Sequence, residues 1–193
     1  EELLYMASAQ KHILRNIVDQ QKLYSGKILD LRIDHVRFPS GSEKIREVVE
    51  HKSAAAVLPV DSEGYVYLVL QYRHAVDEEL YEIPAGIIEP GEDPLETAIR
   101  ELQEEIGYKP GRIEKVLDFY PSPGYSTEKI LIYYATDLSP SKLPEDEDEQ
   151  ISVFKFTPEN INSMIRSGKI SDGKTITAAC WYAAKRAEDN VCC

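Results

Sequence analysis

Residues 86–108, GIIEPGEDPLETAIRELQEEIGY, constrain this chain more than any other stretch. The preceding YEIPAG reads as a short strand running into a glycine loop. GEDP then starts a helix, with Glu92 or Asp93 near the cap and Pro94 at an early helical position, and Gly107 ends it. Between these signals Leu95, Ala98, Ile99, Leu102 and Ile106 recur at helical spacing, which predicts an apolar stripe packed on a sheet. The same segment carries Glu89, Glu92, Asp93, Glu96, Glu101, Glu104 and Glu105. Glu101 and Glu105 are four apart and Glu104 follows Glu101 by three, so the three carboxylates share adjacent positions on the helix surface. Like charges so placed cost roughly 0.2–0.5 kcal/mol per pair on an exposed helix. Either the face is merely solvated, or it waits for a cation; hard ions such as magnesium take oxygen ligands and touch only a few carboxylates.

Composition narrows the partners. At 193 residues the chain suits one globular domain with room for a small appended element, and 42% hydrophobic against 29% charged residues favours folding over disorder. A formal charge of -12 argues against nucleic acid, whose binding rests on clustered Lys and Arg, but leaves room for a small anion bridged by metal. Cys180, Cys192 and Cys193 form neither a disulfide framework nor a zinc pattern, and His12, His35, His51 and His74 are scattered, so a reducing, cytoplasmic setting is expected. No segment has the length of a membrane span, which predicts no membrane partner, and Met6 is a candidate native start after a short leader.

Along the chain, a short N-terminal helix is expected before the antiparallel strands KILDLRIDHVRF and IREVVEHK, separated by the turn PSGSE. AAAVLPV and YVYLVLQYR flank Asp61-Ser62-Glu63-Gly64, a hairpin signal between two central strands. Further strands are expected at IEKVLDFY, KILIYYATDL and ISVFKFT, with helices after Pro158 and from about Lys174 to Glu188. Tyr120, Tyr125, Tyr133 and Tyr134 offer rings for stacking an adenine, although tyrosine at strand spacing more often packs; Trp181 is expected to pack a helix.

The helix segment fits the pattern G-x5-E-x7-R-E-L-x-E-E-x-G-Y through Gly86, Glu92, Arg100, Glu101, Leu102, Glu104, Glu105, Gly107 and Tyr108, without a gap. It resembles the signature of the Nudix hydrolases, which act on nucleoside diphosphates linked to another moiety. The resemblance implies an α/β/α sandwich with a mixed sheet, preceded by a small N-terminal antiparallel β element: residues 1–50 as a helix and dimerisation arm, 51–193 as the hydrolase. It further implies magnesium, with manganese as the alternative, on Glu101 and Glu105, with Glu104 assisting a further ion, the Ala85 carbonyl completing the shell, and Arg100 and Glu92 as orienting partners. Gly86 would let the backbone approach metal and phosphate.

Two stretches outside that segment resemble the ADP-ribose pyrophosphatases within the family. LVLQYRHAVDEELYEIPAG puts Arg73 in the place of a substrate-contacting arginine, and FYPSPGYSTEKI supplies Pro123, Gly124 and Glu128. The bland readings are a strand-end arginine and a surface turn. In the acidic run PEDEDE, Glu147 or Glu149 stands where the subfamily has a base for the attacking water, and the choice between them is open. The resemblance thus implies hydrolysis of a small nucleoside diphosphate sugar, ADP-ribose, to AMP and ribose 5-phosphate, by a homodimer. Alternatives are another nucleotide sugar, NADH or an oxidised nucleotide as substrate, or a sensor that binds ADP-ribose without cleaving it. A calcium loop at EDEDEQ lacks the ligand spacing and glycine of an EF-hand.

Overall fold

The computed structural model describes residues 16–144 and 151–191. They fall into two units: the chain up to His51 together with Ser122–Thr127, and Lys52–Pro121 together with Glu128–Cys193. The N-terminal helix expected from the sequence, and the acidic run from Glu145 to Glu149, lie outside the described residues.

In the first unit β1 (Asn16–Ser25), β2 (Leu29–Arg37) and β3 (Glu43–His51) form an antiparallel meander in that order. β2 and β3 match the two expected strands. β1 carries no clean alternation of apolar and polar residues, and all its residues are exposed, so periodicity does not announce it. The turn between β2 and β3 closes through Gly41, whose φ of 81° suits glycine. The segment Ser122–Thr127 lies along β3 through Val49 N–H to Tyr125 O at 2.8 Å and Thr127 N–H to Val49 O at 3.0 Å.

The second unit is built around three largely buried strands. β4 (Ala54–Pro59), β7 (Ala85–Ile87), β9 (Arg112–Phe119) and β10 (Ile130–Thr136) make a mixed sheet ordered β7-β4-β10-β9, in which β4 and β10 run parallel. β5 (Val66–Arg73), β6 (Glu78–Glu82) and β12 (Ile151–Phe156) make an antiparallel sheet ordered β12-β5-β6, and β8 (Tyr108–Lys109) pairs with β11 (Ser139–Pro140). Because strand side chains alternate, odd and even positions feed different cores. Ala55, Val57, Tyr67, Val69, Tyr133 and Ala135 pack with α1 (Pro94–Glu105), whereas Ala56, Leu58, Val66, Leu68, Ile130 and Ile132 pack with α2 (Pro158–Arg166) and α3 (Gly173–Val191). The result is the expected α/β/α sandwich.

Two expectations are corrected here. The turn at Asp61 exists, with Gly64 N–H on Asp61 O at 3.0 Å, but β4 and β5 then part into different sheets and keep only the bridge Val60–Val66. Two-sided burial explains this: each strand needs a layer on both faces, which a simple hairpin does not give. On α1, Ala98, Leu102 and Ile106 are buried as predicted, but Leu95 is exposed and Thr97, Glu101 and Glu105 are buried instead. The inward face of this helix mixes apolar residues with two carboxylates and one threonine. Burying Leu102 contributes roughly 1.5–3 kcal/mol, which anchors the acidic positions beside it.

Candidate active site

Local chemistry sets the helix that carries the acidic cluster. Asp93 caps α1, its carboxylate accepting from Leu95 N–H at 2.8 Å, and Pro94 opens the first turn where its missing N–H costs nothing. Ile106 is the C-cap and Gly107, with φ 75°, turns the chain away. α1 packs against β4, β7, β8 and β10, which aims one acidic flank at the β7 loop.

There the backbone and the carboxylates meet closely. A Cβ on Gly86 would lie 1.8 Å from Glu101 Oε1, so only glycine lets that carboxylate rest against the strand. Ala85 N–H donates to Glu105 Oε1 at 3.3 Å, and Glu105 is only 3% exposed. Glu101 is 9% exposed, while Glu104 is half-buried. Arg100 gathers the set: Nε donates to Glu92 Oε1 at 3.0 Å, and Nη1 to Glu101 Oε1 at 2.7 Å and to Glu104 Oε2 at 2.8 Å. Its hydrogen bond is the main reason that Glu92 is held at about 2, against the opposing effect of burial. Burial works against the charge of Arg100 in turn, yet Glu92, Glu101 and Glu104 outweigh it and keep the guanidinium above its ordinary value.

Among the described residues, no three His, Cys, Asp or Glu side chains stand close enough as placed to hold a metal ion. The reason is visible in the geometry, since the Arg100 fork takes one oxygen each of Glu101 and Glu104. The donor set itself fits a hard divalent cation. It offers only carboxylate and backbone oxygen, on one helical flank, facing a strand that glycine leaves open. One guanidinium shared by three carboxylates also leaves that set net negative.

The remaining residues singled out by sequence are divided. Arg73, at the end of β5, donates Nε and Nη2 to Glu82 Oε1 and Oε2, both at 2.7 Å. This pairing holds Arg73 above its ordinary value against burial, and the charges of Glu105 and Asp172 add to it, so Arg73 lies within electrostatic reach of the acidic helix. Glu128 is half-buried just before β10. Pro123 and Gly124 belong to the other unit, in an exposed turn where Ser126 N–H reaches Ser122 O at 2.9 Å. Glu147 and Glu149 lie outside the described residues. Tyr133 is buried with α1, Tyr134 packs on Trp181 with ring centroids 5.3 Å apart, and Tyr120 and Tyr125 are exposed.

Sequence reading passed over Glu82, Asp172, Lys174 and Thr175. Lys174 donates to Glu82 and to Asp172, the latter at 3.2 Å, and Thr175 Oγ1 accepts from Ile83 N–H at 2.8 Å. The available signal was SDGKT at the start of α3, where Asp172 accepts from Thr175 N–H as a helix cap does.

Comparison with known proteins places the chain in a family. The family model described as the NUDIX domain matches residues 50–179. The ADP-ribose pyrophosphatase of Bacillus subtilis (strain 168) is 37% identical over 179 residues, covering 92% of this chain and 97% of the relative. The methanol dehydrogenase activator of Bacillus methanolicus is also 37% identical, over 163 residues, 83% of this chain and 88% of its own. A solved structure described as an ADP compounds hydrolase superposes with a TM-score of 0.82 at 19% identity, covering 91% of this chain and 95% of that one, which bears on the fold.

Proposed function

This chain belongs to the Nudix family, and from that premise we propose that it hydrolyses the diphosphate of ADP-ribose to AMP and ribose 5-phosphate. The observation that carries the reading is the likeness to an ADP-ribose pyrophosphatase over 92% of this chain and 97% of that relative. Glu101, Glu104 and Glu105 would hold a divalent ion, magnesium in this reading with manganese as the alternative, together with the Ala85 carbonyl. Such an ion, when bound, offsets the charge of the diphosphate and lowers the pKa of water.

The chain's own groups do the rest. Gly86 keeps the strand open beside Glu101, and Arg100 with Glu92 orients the carboxylates. Arg73 presents a planar donor fork to a phosphate, with Nη1 left after Glu82 has taken Nε and Nη2. Water adds to one phosphorus, the bridging P–O bond breaks, and the water proton passes to Glu147 or Glu149, which remain two candidates. Glu128 adds a substrate contact in this reading. Residues 51–193 form the hydrolase, and residues 1–50 serve as a dimerisation arm; the exposed Ile17, Leu23 and Tyr24 of β1 offer an apolar surface to a second copy. Light scattering that gives a monomer mass removes that part. No helix among the described residues is long and apolar enough to cross a membrane, and we place the protein in the cytoplasm.

The test is to incubate the protein with ADP-ribose and magnesium and identify the products. AMP and ribose 5-phosphate are expected. Faster cleavage of another nucleotide sugar, NADH or an oxidised nucleotide would move the substrate, and binding without cleavage would make the chain a sensor. A second reading comes from the likeness to the methanol dehydrogenase activator, at the same identity over a shorter stretch. It expects this protein to raise the rate of such a dehydrogenase, which a spectrophotometric assay checks directly.

A further inference from the structure

Glu82 closes β6 and is 1% exposed, yet it is not paired with a single cation. Arg73 approaches it edge-on through Nε and Nη2, and Lys174 reaches Oε2 from α3, in the opposite layer of the sandwich. Asp172 accepts from Lys174 at 3.2 Å and is itself fixed by Thr175, whose N–H and Oγ1 donate to Oδ2 at 2.9 and 2.6 Å. Two cations therefore face two anions in a closed set that spans β5, β6 and the first turn of α3. Burial pushes the Glu82 carboxyl up, but Arg73 and Lys174 more than offset it, so both oxygens stay ionised acceptors. Lys174 is 11% exposed at its side chain and Arg73 40%, so the set opens to solvent only at the Arg73 end. At that end Nη1 of Arg73 has no hydrogen-bond partner among the described residues.

We propose that Lys174 and Asp172 are positioning residues, which hold the Glu82 carboxylate so that Arg73 presents its free Nη1 edge to the anionic diphosphate of the substrate. The inference rests on the reading of Arg73 as a substrate contact. A carboxylate held only by Arg73 would let the fork pivot about one ion pair. Lys174 pins the second side of that carboxylate, and Asp172 ties Lys174 to the rigid start of α3.

The test is a kinetic double-mutant cycle on ADP-ribose with Arg73→Ala, Lys174→Met and the pair, each checked for folding by thermal melting. Lys174→Met is expected to raise KM about tenfold with kcat little changed, the size usual for losing a partner that orients a binding group. In the Arg73→Ala background it is expected to add nothing, because the group that it aims is gone. A fall in kcat at constant KM, or a KM increase that multiplies that of Arg73→Ala, would overturn the proposal in favour of a purely structural quartet. If Lys174→Met melts below the assay temperature, Asp172→Asn serves, with the same pattern at smaller size and the same two overturning outcomes. Wild-type protein that leaves ADP-ribose intact while cleaving another nucleoside diphosphate moves the cycle to that substrate; it refutes the substrate assignment separately from the positioning claim.

Discussion

Two buried ionic clusters sit in the hydrolase unit, and they solve the same problem in opposite ways. Around Glu82, Arg73 and Lys174 face Glu82 and Asp172, so each charge removed from water meets its complement inside the chain. Around Arg100, one guanidinium serves Glu92, Glu101 and Glu104, while Glu105 rests beside Ala85 N–H. The first cluster is balanced by its own residues. The second sets three carboxylates against one guanidinium, and the excess negative charge repels along one helical flank. The contrast underlies our proposals that the first cluster aims the Arg73 fork and that the second takes a cation.

Removing charge from the unbalanced cluster should therefore cost activity and not stability. Glu105→Gln is expected to lower turnover on the order of a hundredfold or more while the melting temperature holds or rises, as steady-state kinetics and calorimetry would reveal. Unchanged turnover in magnesium would erase the distinction. Gly86→Ala comes next. Its Cβ meets the end of a flexible side chain, so the fold should survive while Glu101 is displaced; a loss of about ten- to hundredfold in kcat/KM is expected, with weaker magnesium dependence. Full activity here would deny Glu101 its place.

The balanced cluster sharpens the comparison from the other side. Arg73→Ala is expected to raise KM on the order of tenfold with kcat nearly intact, and a pure turnover defect would argue against a binding role. The smallest effect is a pH dependence of stability from Glu92. Its folded pKa of about 2 lies below the ordinary 4.5, so its contribution is present above about 4.5 and is lost as pH falls through 2. Wild type should accordingly lose more melting temperature than Glu92→Gln between those values. Parallel curves for the two proteins would show that the Arg100 pair adds no stability.

The two clusters also differ in how far the sequence discloses them. Gly86, Glu92, Arg100, Glu101, Glu104 and Glu105 fall within one continuous stretch from β7 into α1, so fixed spacing makes them readable as a set. Glu82 and Lys174 are separated by 92 positions and meet only because α3 covers the sheet. No local period carries that information. The same limit applies to β4 and β5, whose turn is legible while their separation into two sheets depends on layers supplied from elsewhere in the chain. Leu95 shows a finer version: helical spacing marks it as apolar, but the acidic flank of α1 turns inward and leaves Leu95 outside. The strand β1, exposed throughout and without a clean alternation, follows from pairing with β2 and not from its own pattern.

The central claim, that the acidic helix is tolerated because a divalent ion completes it, is tested most directly by chelation and return. Protein stripped with EDTA is assayed on ADP-ribose while magnesium is titrated back, beside a Glu101→Gln/Glu105→Gln double variant treated identically. Stripped wild type is expected to be inert and to regain full turnover, whereas the folded double variant stays at background at every magnesium concentration. Hydrolysis by the stripped wild type, or recovery of the double variant, would contradict it.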